Sequence, residues 1–307
     1  MNHLISSSYF GIISALLAAF CWSIAVIIFK SASKYLSPLL IVVLKNTIAV
    51  ICFIIMFIIL DIPLWYSHLA TSDYLKIILS GVLGMGLSDL LFINALSKIG
   101  ASRVAIINCF EPAVIYFFSI LILDSYLTTQ QFFGFTIVII ALLIIAYEKD
   151  KEEIDPKIKK KGMLTQIFAV ILSSFGIVLI KPILSEINNS IETQLWVTFF
   201  RLFPGFIFTW FIYTFQKNKL ELLAPLKQKS IILKIIISSG LGTFVALSFW
   251  IIGYANIPKP PIASIIGQTS VIFIIVLSYL FLNEKISKTR IFAMLVAICG
   301  VLFIIFN

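Results

Sequence analysis

Four ionisable residues stand inside long apolar stretches of this sequence: Lys45, Asp89, Glu111 and Arg201. An ion at the centre of a bilayer costs roughly 2.5 to 3.5 kcal/mol on insertion scales, so such groups face a wet cavity or a partner. Their formal charges cancel. Glu111 is the first candidate for binding a substrate ammonium or exchanging a proton. Asn108 lies one helical turn earlier on nearly the same face, and Pro112 withholds a helix hydrogen bond and favours a kink. Asp89, next to Ser88 and just after Gly81, Gly84 and Gly86, is a second candidate for proton or sodium coupling. Lys45 and Arg201 could bind a carboxylate or phosphate, Arg201 by a bidentate fork, or could neutralise Asp89 and Glu111. A structural ion pair of Glu111 with Lys45 or Arg201 is the plainer alternative. Gln268 offers a neutral amide at the depth, within a residue, of Glu111 in the other half of the chain. Trp22, Trp250 and Tyr254 could present flat faces to an aromatic or cationic substrate, although with 28 Phe present most aromatics must meet lipid or neighbours.

Other chemistries find little support. The histidines, His3 and His68, fall in a tail and a loop, which disfavours a histidine metal centre. Cys21, Cys52, Cys109 and Cys299 are scattered through apolar stretches without C-x-x-C spacing, and read as small core residues. No phosphate loop of the form G-x-x-x-x-G-K-[ST] and no H-E-x-x-H occurs, so neither an ATP site, a zinc protease nor any cofactor is expected. A net charge of +9 fits basic membrane loops better than nucleic acid.

The elements that must position these residues follow from composition. Of 307 residues 61% are hydrophobic and 12% charged, far from the soluble norm. The apolar residues gather in runs of about twenty, enough to cross a core ~30 Å thick. Ten spans are expected: Tyr9 to Lys30, Pro38 to Leu60, Tyr74 to Leu96, Ala101 to Leu123, Gln130 to Tyr147, Met163 to Leu184, Ile191 to Thr214, Ile231 to Tyr254, Pro261 to Leu282, and Thr289 to Phe306. The first could be mistaken for a signal peptide, but no Lys or Arg precedes it and it runs on to Phe29, as an uncleaved helix would. Pro258, Pro260 and Pro261 stiffen the link between spans 8 and 9.

The charged segment 148–162 separates a first repeat, 9–147, from a second, 163–306. Lys76-Ile77-Ile78-Leu79-Ser80 with Gly84 returns as Lys234-Ile235-Ile236-Ile237-Ser238 with Gly242, an offset of 158 that also relates Ile99 to Ile257 and Ala105 to Ala263. Gly11, Ser23 and Lys30 match Gly162, Ser174 and Lys181 at an offset of 151. Five spans being an odd number, the second copy enters the membrane upside down. Such inverted repeats typify secondary transporters, whose single midplane site opens to each side in turn. Most of the 23 Lys and Arg residues fall in loops 1–2, 3–4, 5–6, 7–8 and 9–10, against Lys76, Lys181 and Lys259 opposite. The positive-inside rule then puts the linker in the cytoplasm and both termini outside an inner membrane.

Phe20-Cys21-Trp22-Ser23 ending in Lys30, the run Ala95-Leu96-Ser97-Lys98-Ile99-Gly100-Ala101-Ser102, Glu111-Pro112, and Leu282-Asn283-Glu284-Lys285 together resemble the EamA-type members of the drug/metabolite transporter superfamily. The likeness spans nearly the whole chain in two tandem copies. It implies an all-α polytopic fold, a basket of ten helices around a central cavity, and export or uptake of small metabolites such as amino acids, nucleosides or cofactors. Two departures stand out. The family's Leu-Gly-Glu at the end of span 4 reads Leu123-Asp124-Ser125, and familiar ten-helix members keep both termini in the cytoplasm. The competing readings are a membrane scaffold or sensor without transport, and an intramembrane enzyme, which lacks a credible nucleophile and histidine pair here.

Overall fold

The structure is a computed structural model that describes residues 8–65, 69–146, 155–188, 190–217, 219–282 and 288–305. Glu284, His3, His68 and the first part of the linker, 148–154, lie outside the described residues. Spans 1 and 2 are single helices, α1 (Ser8–Ala32) and α2 (Pro38–Leu60). Ser37 caps α2 by accepting from the Leu40 backbone, with Pro38 opening the first turn. Span 3 comprises α3 (Thr71–Gly81), a π-helical segment over Val82–Ser88, and the start of α4 (Asp89–Asn108). Gly100 breaks α4 with a φ of 79°, a left-handed conformation that glycine adopts freely. This single residue turns span 3 into span 4, which continues through α5 (Glu111–Leu123). Asp124 ends α5 with a φ of 47°. Span 5 is α6 (Thr129–Ala146).

The second repeat follows the same plan with α7 (Pro156–Glu186), α8 (Ile191–Thr214), a short α9 (Lys219–Leu223), then α10 (Lys229–Ser239), a second π-helical segment over Gly240–Ala246, and α11 (Leu247–Asn256). Span 9 is α12 (Pro260–Gly267) and α13 (Ser270–Leu282), and span 10 is α14 (Lys288–Ile305). The π-helical segments stand 158 residues apart, the offset that relates the sequence repeats. α7 starts earlier than the expected Met163, because Asp155 caps it through the backbone N–H groups of Lys157 and Ile158 and Pro156 opens it. The last turns of the supposed linker are therefore helix. Among the described residues six helices are long and apolar enough to cross a membrane, and four shorter apolar ones accompany them.

The repeats exchange equivalent contacts. Span 3 packs on spans 6 and 7, and span 8 packs on spans 1 and 2, while spans 2 and 7, 4 and 9, and 5 and 10 each meet their own counterpart. The matched residues meet crosswise: a Cβ on Gly11 would press on Ile257, and one on Gly162 would collide with Ile99. Spans 5 and 10 cross through Gly134 and Gly300, where a Cβ on either would come within about 3.2 Å of the other's carbonyl oxygen. Small residues admit such close crossings in lipid, where packing rather than water exclusion holds helices together. This two-fold exchange, with an odd number of crossings per copy, is the arrangement of two inverted five-span repeats.

Candidate functional site

Lys45 and Arg201 come from the counterpart spans 2 and 7, and both point at the π-helical segment of span 3. Their side chains are 2% and 1% exposed, so neither meets lipid. Lys45 Nζ lies 2.5 Å from Asp89 Oδ2 and donates to Asn46 Oδ1 at 3.1 Å. Asn46 Nδ2 in turn donates to the carbonyl oxygen of Met85 at 3.1 Å. A π-helical turn carries one residue more than an α-turn and disturbs the backbone ladder, so a side-chain amide aimed at a carbonyl within it is an apt support.

Arg201 is held differently. Its Nε donates to Ser80 Oγ at 2.8 Å, Ser80 Oγ donates to the Gly176 carbonyl at 2.6 Å, and Nη1 lies 3.7 Å from Met85 Sδ. Spans 7, 3 and 6 are thereby strung on one chain of hydrogen bonds. The guanidinium carbon sits 5.2 Å from the centre of the Trp250 ring, near enough for a cation–π contact. Trp250 lies 4.5 Å from Tyr254, centre to centre. Tyr254 is 1% exposed. Among the described residues the two ion pairs within 4.0 Å are Lys45 with Asp89 and Lys76 with Asp73, so Arg201 has no carboxylate at that distance. Gly84 makes room for it, since a Cβ there would come 2.6 Å from Nη2.

Glu111 stands at a break in span 4, where a kink is expected from Pro112. Span 4 breaks at Cys109 and Phe110, and Glu111 opens α5. Pro112 cannot donate to the Asn108 carbonyl, which is the physical reason for the break. Span 9 breaks at the matching place, between Gly267 and Ser270, and there Gln268 Nε2 donates to Glu111 Oε2 at 3.0 Å. The two discontinuities face one another across the two-fold. Discontinuous helices meeting in the bilayer are a common way to build a solute site.

The structure brings some of the residues singled out in the sequence together and separates others. Lys45 with Asp89, Arg201 with Trp250 and Tyr254, and Glu111 with Gln268 come together. Asn108 does not join Glu111: the break between them turns it to span 6, where it accepts from Gln166 Nε2 at 2.6 Å. Trp22 packs against Phe92 at 5.8 Å and beside Gly242. Asn46, Ser80 and Met85 were overlooked; an amide next to Lys45 and the repeated Lys-Ile-Ile-x-Ser motif were the signals. Lys181, expected near the outer surface, is 3% exposed and donates to the Tyr254 and Ile257 carbonyls at 2.6 and 2.8 Å. Its match Lys30 donates to the Leu96 carbonyl at 3.3 Å. Leu96 is the residue 158 positions before Tyr254, so each lysine closes the end of the third span of its own repeat, the helix-end role that suits a cation.

Two five-span repeats with buried charges where their broken helices meet define a multi-pass membrane transporter. The chain belongs to the EamA-like transporter family, whose pattern matches residues 9–147 and 160–306. That is a family of transporters rather than of enzymes, and membership implies a small-molecule substrate. A solved structure titled only "Crystal structure of protein" is similar in fold, with a TM-score of 0.74, 13% identity and 95% of each chain covered. No curated protein matches the chain in sequence.

Proposed function

We propose that this protein is a secondary transporter that carries small metabolites, of the size and polarity of amino acids, nucleosides or related cofactors, by alternating access. The observation that carries the reading is the state of Arg201. It is a permanently charged group buried among Ser80, Met85, Gly84 and Trp250 with no carboxylate within 4.0 Å among the described residues, while Lys45 has Asp89. A carboxylate or phosphate on the substrate would supply the missing counter-charge through a bidentate fork. Trp250 and Tyr254 would flank an attached ring or chain. Glu111, held by Gln268, would take a substrate ammonium or a proton, and Asp89 would release Lys45 when the access side changes. Asn108 and Trp22 would act at the edge of this path, not at its centre.

Uptake into proteoliposomes of a panel of amino acids, nucleosides and cofactors, with and without a pH gradient, tests the proposal. Arg201→Lys should cut uptake of the anionic substrate at least tenfold, because a lysine keeps the charge and loses the fork. Glu111→Gln should abolish stimulation by the gradient. Arg201→Lys protein with unaltered uptake, or Glu111→Gln and Asp89→Asn proteins with full gradient-driven uptake, would remove the basis of the assignment. In the membrane we place the linker in the cytoplasm and both termini outside, on the strength of the lysine and arginine bias.

A further inference from the structure

A cavity of about 680 Å³ lined by none of these residues lies in the cleft between span 3 and span 6. We propose that it is a binding site for one anionic phospholipid of the leaflet on the side of the central linker. Its lining on span 6 reads Lys157, Lys160, Lys161, Leu164, Phe168 and Leu172, a spacing of three and four residues that keeps every member on one face of α7. The face changes character along its length: three lysines first, then side chains that are apolar apart from Thr165. Leu87, in the π-helical segment, and Leu91 close the apolar part from span 3.

The dimensions fit a single lipid. α7 has 31 residues and is about 46 Å long, some 16 Å more than the hydrocarbon core, so its basic first turns stand among headgroups. From Lys161 to Leu172 the helix rises about 16 Å, close to half of a core ~30 Å thick. The lysines therefore stand at phosphate height and the leucines and Phe168 at the height of the acyl chains. Charge argues for an anionic headgroup: among the described residues beside these lysines on this helix the acidic one is Asp155, and its carboxylate is engaged by the backbone of Lys157 and Ile158. A free phosphate would leave the apolar trough unused, and a zwitterionic lipid would bring the lysines a phosphate already offset by its own ammonium.

The test uses purified protein in detergent, with bound lipid counted by native mass spectrometry and stability followed by thermal unfolding. Phosphatidylglycerol should bind at one per chain and raise the melting temperature by roughly 5 °C at saturation, with phosphatidylcholine at least tenfold weaker. The exposed lysines can be changed without touching the core, and Lys157→Gln, Lys160→Gln and Lys161→Gln together should weaken phosphatidylglycerol about 100-fold, roughly fivefold per lysine. Leu91→Trp, which fills the trough and leaves the lysines, should also expel the lipid while the melting temperature of the lipid-free protein stays near that of the wild type. The proposal is overturned if the triple variant binds phosphatidylglycerol as the wild type does or if phosphatidylcholine matches it. It falls equally if inorganic phosphate alone gives the same stabilisation, or if Leu91→Trp binds undiminished.

Discussion

Lys45 meets Asp89 at 2.5 Å with 2% and 16% of their side chains exposed, and a pair so placed is far costlier to break than to omit. Lys45→Met leaves Asp89 without its counter-charge and should destabilise the protein by about 3 kcal/mol. Adding Asp89→Leu should restore most of that loss, because both charges are then gone. Thermal unfolding of the three proteins checks this; a single variant as stable as the wild type would show that the pair holds nothing. The charges themselves were legible in the sequence, since an ion in an apolar span is conspicuous. Their pairing was not, because Asp89 follows a π-helical turn and its direction cannot be extrapolated from Gly81 at 3.6 residues per turn. Asp124 was legible in another way: it stands where the family places glycine, and its φ of 47° is the left-handed conformation that aspartate tolerates better than most residues.

Span 3 is the element on which both cations converge, and its glycines set how closely span 7 approaches. A Cβ on Gly81 would run into the Arg201 carbonyl oxygen, whereas one on Gly267 would meet nothing within 4 Å. Gly81→Ala should therefore cost about 1 to 3 kcal/mol by overpacking, and Gly267→Ala should stay within about 0.5 kcal/mol of the wild type. The melting temperatures of the two proteins distinguish these outcomes, and equal values would mean that the spans can slide apart without penalty. The apolar runs gave away the number and order of the spans. They concealed the interruptions, because Val82–Ser88 and the turn at Cys109 and Phe110 are as apolar as their surroundings; only Pro112 hinted at one of them.

For the molecule as a whole, the repeat was the most legible feature, and the crosswise contacts of Gly11 with Ile257 and Gly162 with Ile99 tie residues that the sequence had already matched. The cleft beside span 6 was invisible, because it depends on how two distant helices splay. Orientation is a property of the whole chain and is tested as one. A phosphatase that works only outside the cytoplasm should be active when fused to the C-terminus, and Lys160→Cys should react with an impermeant thiol reagent only after the membrane is opened. The opposite pair of results would reverse the assigned sidedness.

The seven residues Val82–Ser88 act on span 3 as a fixed twist in its shaft. Each extra residue in a helix swings everything beyond it by ~100° about the axis, so the carboxylate of Asp89 faces Lys45 on account of that added residue. Removing one residue there would straighten the shaft and carry the acid roughly a quarter-turn away, while Ser80, on the near side, kept its hold on Arg201. The same stretch thus sets the angular phase between one cation's partner and the other's.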